Sequence, residues 1–355
     1  MLLSLWRRLQ CRFDAYRDYL CVANARPSRL LNAAKYLRNR GRSASLPYHP
    51  PFYMIDPGNV CRLRCAFCSQ GHRDNAVHSS PAIMHLEEFT RILEQISPYA
   101  LIVDLFKHGE PFLNPDIVEM IRAATKKGVR CRINSGMNFS LDSSLAREIC
   151  ESGLSRINCA IDGTTQDVYQ QYRVNGDLSL VLRNASMLLK ARGELGRGHP
   201  LMVYRMLVFE WNHHQVESAR QLAMDMGFDR FNADPGMFIP DGGRTVQWDI
   251  DAARWRDTPW NLETIYPSTI NPVPPPDQPI HRCPSLFNTM VIHATGASMV
   301  CCHSSRRTWE QESLLSHTLA EVWNSDQYVA TRQAALGVVP RSDALFPQCR
   351  TCCWL

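Results

Sequence analysis

From residue 50 onward, short apolar segments alternate with stretches in which apolar residues recur every three or four positions. The first pattern is typical of buried strands and the second of helices with one buried face. Because parallel strands need a crossover, usually a helix, six such repeats predict a parallel sheet of class α/β. The predicted strands are 52–56, 101–106, 129–134, 156–161, 202–209 and 230–233. Helices are predicted at 141–150, 177–192 and 214–226, with a further one from Asn114 as N-cap to Gly128.

The first 42 residues differ in charge from the rest of the chain. They hold ten Arg or Lys against two Asp, a net of +8, which leaves −3 for the remainder because the whole chain carries +5. Apolar residues recur at helical spacing from Leu2 to Leu20. A basic amphipathic helix of this kind either packs on the body of the protein or lies on an anionic membrane surface. We favour packing, with peripheral membrane contact as the alternative.

The chain is rich in cysteine, with 14 among 355 residues. The apolar run before Arg7 and Arg8 is too short for a secretory signal, and no stretch of the sequence is long and apolar enough to span a membrane. Such a composition indicates a reducing compartment and metal ligation rather than disulfides. We therefore expect a cytoplasmic, metal-binding protein, and no pattern predicts binding to nucleic acid.

Cys61, Cys65 and Cys68 have the spacing Cys-x3-Cys-x2-Cys and follow the first predicted strand. Clusters that only transfer electrons usually take four cysteines, whereas three leave one iron of a four-iron cluster open to a small molecule. Zinc is the alternative, but its cysteines usually come as Cys-x2-Cys pairs with further ligands downstream. The spacing therefore favours an iron–sulfur cluster with an open iron.

With Phe67 just before the last cysteine, this motif resembles that of the radical S-adenosylmethionine (radical SAM) enzymes. The resemblance implies a (βα)6 partial TIM barrel, with the motif at the carboxyl ends of the strands. It also implies a four-iron, four-sulfur (4Fe–4S) cluster whose open iron binds SAM and whose reduced form cleaves SAM to a 5'-deoxyadenosyl radical. Phe67 is then expected beside the adenine, and a flavodoxin or ferredoxin is expected as the reductant.

The segment His108-Gly109-Glu110-Pro111 follows the second predicted strand. It resembles the Gly-Gly-Glu-Pro segment of the same family, which contacts the amino group of SAM. An ammonium group is bound by carboxylates and carbonyls, and glycine allows the backbone to approach closely. The resemblance therefore implies that Gly109, Glu110 and Pro111 bind SAM.

Polar residues at the next two strand ends are further candidates for SAM contacts. Asn134 and Ser135 end the third predicted strand, and the resemblance implies hydrogen bonds to the SAM ribose or carboxylate. Asp162, in a segment that resembles Ser-Ile-Asp-Gly, is a candidate SAM contact or a cap of the next helix. Arg173 lies where related enzymes carry an arginine, which implies pairing with the SAM carboxylate, with an ordinary surface residue as the alternative.

A second group of cysteines lies near the C-terminus: Cys283, Cys301, Cys302, Cys349, Cys352 and Cys353. A hairpin is predicted around Thr295-Gly296, and a short helix near Leu319. This arrangement resembles the small, cysteine-rich α+β SPASM and Twitch domains, which carry auxiliary 4Fe–4S clusters. Six cysteines fit one such cluster better than two. The expected ligands are Cys283, Cys301, Cys349 and Cys352, with Cys302 and Cys353 as alternatives and a zinc ribbon as the alternative site.

These patterns divide the chain into four parts. They are a basic helical N-terminal extension (1–49), a radical SAM core (50–240), a proline-rich linker (241–282) and a SPASM/Twitch-like domain (283–355). The prolines of the linker disfavour both a helix and a central strand.

The resemblance implies an oxidoreductase that removes a hydrogen atom from a substrate C–H bond. We expect a small polyol, sugar or aminocyclitol that is either oxidised, with the auxiliary cluster as electron acceptor, or epimerised. A peptide or protein maturase is the second interpretation, and a non-catalytic zinc-binding module the third. Residues 1–49 look too short and too helical for a leader-peptide-binding domain, which favours the small molecule.

Overall fold

A computed structural model of the chain describes residues 26–39, 41–65, 68, 81–209, 211–235, 283, 285–300 and 312–340. The predicted amphipathic segment 2–20 and the proline-rich linker lie outside these residues. So do several candidate site residues: Phe67, Cys301, Cys302, Cys349, Cys352 and Cys353.

Eight strands in the described residues form one sheet. They are β1 (Phe52–Ile55), β2 (Ile102–Asp104), β3 (Arg130–Ser135), β4 (Arg156–Ala160), β5 (Leu201–Val208), β6 (Arg230–Pro235), β7 (Thr289–Ile292) and β8 (Ser298–Met299). Their order is β6-β5-β4-β3-β2-β1-β7-β8. All neighbours pair in parallel except β7 and β8, which are antiparallel. The six predicted strands and the predicted C-terminal hairpin are thereby confirmed.

Helices connect the strands and cover the sheet. In the described residues they are α1 (Pro27–Asn39), α2 (Leu86–Ile96), α3 (Ile117–Lys126), α4 (Ser143–Glu151), α5 (Gln166–Tyr172), α6 (Leu178–Glu194), α7 (Val216–Met226), α8 (Ser285–Asn288), α9 (Leu319–Trp323) and α10 (Asp326–Ala335). The predicted helices correspond to α3, α4, α6, α7 and α9, whereas α2, α5, α8 and α10 were not predicted. None of the described helices is both long and apolar enough to cross a lipid bilayer.

The predicted N-cap of α3 is wrong. The helix begins at Ile117 with Asp116 as its N-cap, two residues later than predicted. Asn114 is instead buried, and its amide donates to the carbonyls of Pro57 and Met84, both at 2.8 Å. Its side-chain oxygen accepts from the Asp116 N–H at 2.7 Å, so Asn114 closes the turn that precedes the helix instead of capping the helix.

Cysteines within the strands and helices belong to the apolar core. Cys131 in β3, Cys150 in α4 and Cys159 in β4 are all buried among aliphatic side chains. This confirms their prediction as small apolar core residues. They are therefore chemically matched controls for the cysteines of the motif.

The C-terminal hairpin extends the barrel sheet, because β7 pairs in parallel with β1. The pairing continues past the strand end, where the Asp56 backbone N–H donates to the Ile292 carbonyl at 2.8 Å. The carboxyl ends of β7, β1 and β2 therefore lie side by side, directly before the segments that hold the predicted SAM-binding residues.

Candidate active site

The cysteine motif folds into a compact loop after β1. The Cys68 backbone N–H donates to the Cys65 carbonyl at 3.1 Å, which closes a turn between the last two cysteines. Cys65 is buried, and Cys61 and Cys68 are half-buried. The three pack within one apolar cluster with Leu63, Tyr172, Leu207, Phe209 and Trp211. This environment excludes water from one side of the motif.

Burial of the motif opposes ionisation of its thiols. Burial raises the pKa of Cys61 to about 12, and the nearby Glu110, Cys65 and Cys68 add to the increase. Burial also raises the pKa of Cys65, although Arg173 acts in the opposite direction. Because metals and clusters bind thiolates, ligation by Cys61 and Cys65 must release the protons that these two thiols hold at neutral pH.

Glu110 is a buried carboxyl group held by three hydrogen bonds. It accepts from the Ser135 hydroxyl at 2.8 Å, from the Gly136 N–H at 2.8 Å and from the Phe112 N–H at 3.3 Å. Burial raises its pKa despite these donors. A buried carboxylate is costly without a cation beside it, so the site favours a positively charged ligand.

Gly109 brings the Glu110 segment against the cysteine loop. Its φ of +57° lies in the left-handed region, and a Cβ here would meet the Gly58 carbonyl at 2.3 Å and the Val60 carbonyl at 2.7 Å. The next residue, Glu110, donates its backbone N–H to the Val60 carbonyl at 2.8 Å. Glycine is therefore required to place Glu110 beside the loop that carries Cys61.

Arg173 connects the cysteine loop to Asp162. Its Nε donates to Asp162 Oδ2 at 2.5 Å, and its Nη1 lies 3.6 Å from the Cys65 sulfur. Burial alone would lower the pKa of Arg173, but the Asp162 carboxylate and the neighbouring Cys65 leave it well above its ordinary value. Arg173 is thus a permanent cation at the motif.

Two of the predicted polar contacts are engaged within the protein. The Asn134 side-chain oxygen accepts from the Asn158 amide, and the Ser135 hydroxyl donates to Glu110. The interpretation of Asp162 as a helix cap is wrong, because α5 has Thr165 as its N-cap. Asp162 instead has no exposed surface and pairs with Arg173.

Sequence reasoning missed a buried polar group at the carboxyl ends of β1, β2 and β7. His108 Nδ1 lies 2.8 Å from Asp56 Oδ2, and the rings of His108 and His293 meet edge to face at 5.8 Å. The Lys107 ammonium, which can only donate, lies 3.0 Å from His108 Nε2. This assigns the proton of His108 to Nδ1, where it is donated to Asp56.

This polar group fixes the segment that precedes Gly109 against both β1 and the C-terminal hairpin. In the sequence, only position indicated this group. Asp56 and His293 directly follow β1 and β7, and His108 lies in the loop after β2.

The residues of this edge fit a 4Fe–4S cluster with SAM. Cys61, Cys65 and Cys68 supply three soft thiolate ligands in an apolar surround, which suits iron–sulfur chemistry and leaves one iron open. Glu110 beside them supplies a buried carboxylate for an ammonium group. The sequence matches the radical SAM superfamily over residues 55–223, and the iron–sulfur cluster-binding SPASM domain over residues 283–353.

The chain belongs to the radical SAM superfamily, with a C-terminal SPASM domain. Radical SAM proteins bind a 4Fe–4S cluster and SAM, and the SPASM domain implies auxiliary iron–sulfur clusters. The fold is the parallel α/β sheet of the radical SAM partial barrel, followed by the SPASM region, as predicted. The iron–sulfur character of both matches disfavours the zinc interpretations.

Curated relatives of this radical SAM protein include GTP 3',8-cyclases. That of Clostridium perfringens strain SM101 is 26% identical over 139 residues, which cover 39% of this chain and 43% of the relative. That of Crocosphaera subtropica is 23% identical over 202 residues, which cover 56% and 58%. The chain thus spans about half the length of the curated relatives it matches.

Two solved structures share the fold at low sequence identity. SuiB of Streptococcus suis has a TM-score of 0.61 at 17% identity, covering 86% of this chain and 72% of SuiB. The structure of anSMEcpe with bound AdoMet has a TM-score of 0.56 at 13% identity, covering 84% and 94%. At these identities, the likeness bears on the fold alone.

We expect Glu110→Gln to weaken SAM binding about 10- to 100-fold, the value of a hydrogen bond to a charged group. Without SAM, the variant should lose about 1–3 kcal/mol of stability, because the Gln amide nitrogen replaces one of the two oxygens that accept from Ser135, Phe112 and Gly136. Since the folded-state pKa of Glu110 is raised, its contribution to stability is present below the ordinary value of 4.5 and is lost as the pH rises through the raised value. Equilibrium dialysis and thermal unfolding between pH 5 and about 8 test both expectations.

Glu194→Gln, at an exposed site at the end of α6, is the matched control and should change neither quantity. Unchanged SAM affinity in Glu110→Gln would contradict the assignment of Glu110 to the SAM ammonium.

Proposed function

We propose that the chain is a radical SAM oxidoreductase that oxidises or epimerises a small polyol, sugar or aminocyclitol. The observation that carries the proposal is the grouping of Cys61, Cys65 and Cys68 beside the buried Glu110 and Arg173 at one edge of the sheet. When bound and reduced, the cluster supplies the electron that splits SAM into methionine and a 5'-deoxyadenosyl radical. The protein binds SAM, orients the substrate hydrogen toward C5' and excludes water.

The proposed roles follow from charge and position. Glu110 and the backbone of Gly109 and Pro111 bind the SAM ammonium. Arg173 pairs with the SAM carboxylate, and the segment of Asn134 and Ser135 lies toward the ribose. Phe67 is assigned to the adenine on the resemblance alone. The fixed position of Glu110 supports its role, because three hydrogen bonds hold the carboxylate in one orientation.

In the oxidative reaction the substrate loses two protons and two electrons in total, as one hydrogen atom, one proton and one electron. One hydrogen atom goes from carbon to C5', forming 5'-deoxyadenosine. The hydroxyl proton would leave to solvent, and an auxiliary cluster, when bound, would supply the acceptor for the remaining electron. We assign the ligands of that cluster to Cys283, Cys301, Cys349 and Cys352. Cys283 packs at the edge of the main core, close to where β7 begins.

Oxygen-free protein treated with dithionite and SAM tests the proposal. We expect 5'-deoxyadenosine, and about eight iron atoms per chain if one auxiliary cluster accompanies the SAM-binding one. About four iron atoms per chain would show that the auxiliary cluster is absent and would remove it from the proposal. Failure to form any 5'-deoxyadenosine with a full iron complement would overturn the proposed reaction.

A peptide maturase is the second candidate, supported by the likeness of the fold to SuiB, which has been solved with its precursor peptide SuiA (TM-score 0.58, 16% identity). The two candidates differ in what stimulates SAM cleavage and in where the hydrogen originates. Deuterium transfer into 5'-deoxyadenosine from a labelled cyclitol or sugar supports the first. Transfer only from a labelled peptide side chain would replace it with the second.

We expect Cys349→Ala and Cys352→Ala to spare reductive SAM cleavage but to block net substrate oxidation, because the substrate radical then lacks its electron acceptor. Cys131→Ala and Cys150→Ala, at cysteines of the apolar core, are the matched controls and should retain both. The measurements are 5'-deoxyadenosine and oxidised product per chain. Full product formation in Cys349→Ala and Cys352→Ala would contradict the acceptor role.

A further inference from the structure

Arg173 contacts the cysteine motif directly. Its Nη1 lies 3.6 Å from the sulfur of Cys65, within the range of a hydrogen bond to sulfur. The guanidinium side chain is 13% exposed, and the thiol it faces belongs to a buried residue. The backbone reinforces this approach, because the Arg64 N–H donates to the Val174 carbonyl at 2.9 Å. The segment of Arg173 and the cysteine loop are therefore fixed to each other.

The orientation of the guanidinium is set from the opposite side by Asp162. Asp162 Oδ2 accepts from Arg173 Nε at 2.5 Å, while its Oδ1 accepts from the Leu207 N–H at 2.6 Å. The Asp162 carbonyl also accepts from the Asn212 amide at 2.9 Å. Asp162 is fully buried and cannot turn away. Arg173 is thus aimed at Cys65 by contacts within the protein, without the help of a ligand.

Aromatic rings enclose this contact. The Arg173 guanidinium lies 4.9 Å from the centroid of the Tyr172 ring, which in turn lies 4.9 Å from the Phe209 ring. Trp211 stacks on Phe209 at 4.5 Å with an interplanar angle of 7°. In such a dry environment, a hydrogen bond from a cation is stronger than in water.

We propose that Arg173 is a positioning residue that raises the reduction potential of the cluster bound by Cys61, Cys65 and Cys68, through a charge-assisted hydrogen bond to the Cys65 sulfur. This inference rests on the proposed function for the presence of that cluster. Hydrogen bonds to ligand sulfurs and net charge are among the factors that set cluster potentials. A cation at the sulfur stabilises the reduced cluster, which carries one more negative charge than the oxidised cluster.

The role is separate from pairing with the SAM carboxylate, because it acts before SAM binds. Asp162 is bonded to Arg173 Nε, whereas a different nitrogen, Nη1, faces the Cys65 sulfur, so the pairing with Asp162 leaves the contact with the sulfur in place. Arg173 therefore influences the reduction of the cluster, which starts the reaction, as well as the binding of SAM, which receives the electron.

The test is the midpoint potential of the cluster in the full-length protein without SAM, followed by electron paramagnetic resonance during an anaerobic redox titration. The paramagnetic resonance signal that disappears in Cys65→Ala is the one from the cluster bound by Cys61, Cys65 and Cys68. For Arg173→Gln we expect a lower potential. At a fixed solution potential, the ratio of reduced to oxidised cluster should fall about tenfold, the equivalent of about 59 mV for one electron.

Arg173→Gln leaves a buried carboxylate unpaired, so Arg173→Gln/Asp162→Asn is the second variant and should also show a lower potential. Arg205→Gln is the matched control, because Arg205 pairs with Asp234 at 2.6 Å on β5 and β6 in the same manner. Its potential should equal that of the wild type.

Lower potentials in both Arg173 variants, with none in the control, support the inference. An unchanged potential in the Arg173 variants overturns it, even if SAM affinity falls. Equal shifts in Arg205→Gln, or failure of the cluster to assemble in both Arg173 variants, would also overturn it. If the wild type itself gives no iron–sulfur signal, the proposed function fails instead, so the two failures are distinguishable.

Discussion

Cys65→Ala is expected to abolish reductive SAM cleavage, to the level measured without protein. The cluster would retain two protein ligands of three, and the thiolate lost is the buried one at the centre of the loop. Structural metal and cluster sites draw much of their binding free energy from such ligands. The measurements are iron content after anaerobic reconstitution and 5'-deoxyadenosine formed with dithionite.

The matched control is Cys159→Ala, in which a cysteine of β4 with no exposed surface loses the same sulfur atom. Because Cys159 is a core residue, the Cys159→Ala variant should keep its iron and its SAM cleavage while losing about 1 kcal/mol of stability. SAM cleavage by Cys65→Ala at the wild-type rate would contradict ligation by Cys65. Loss of cleavage in both variants would indicate unfolding rather than a missing ligand.

The features that sequence predicted well are local ones. Cys61, Cys65 and Cys68 lie within eight residues, so their spacing alone brings them into one loop. β5 is predicted by a short run of mostly apolar residues, and β3 by alternating polar and apolar residues. The parallel sheet of these strands follows from the repeat of strand and helix. The candidate SAM-binding segments were found for the same reason, since each directly follows a strand.

The features that sequence could not predict depend on contacts between distant residues. The pairing of Asp162 with Arg173 required knowing that α5 turns back toward the cysteine loop. The pairing of β7 with β1 joins residues more than 200 positions apart, and no local pattern encodes it. The group of Asp56, His108 and His293 exists only because of that pairing.

The same long-range contacts give the SPASM region a direct connection to the segment of Gly109 and Glu110. His293 follows β7, and His108 is bonded to Asp56 after β1 and is followed by Gly109. The geometry of the Glu110 segment therefore depends on the C-terminal hairpin as well as on the barrel. This explains in physical terms why the two parts of the chain cannot be treated as independent modules.

Gly109→Ala is expected to cost about 3–5 kcal/mol of stability and to eliminate SAM binding, which makes it the most damaging change among the glycines of the described residues. The left-handed backbone conformation accounts for about 1–2 kcal/mol. The remainder comes from steric overlap, because the new Cβ would lie 2.3 Å from the Gly58 carbonyl and 2.7–2.8 Å from the carbonyl and N–H of Val60. All three atoms are backbone, so the clash cannot be relieved by rotating a side chain.

The clash would displace the backbone of Gly58 and Val60, which leads into Cys61 and whose Val60 carbonyl accepts the Glu110 N–H. The change therefore affects both the cysteine loop and Glu110. Gly227→Ala is the matched control: its φ is +83°, but no atom lies within 4 Å of the added Cβ. It should cost only the conformational penalty and leave SAM binding intact. Thermal unfolding and SAM binding by equilibrium dialysis separate the two variants. Equal destabilisation by both would show that the cysteine loop can move away from Gly109, and that the close packing of the two segments does not determine the site.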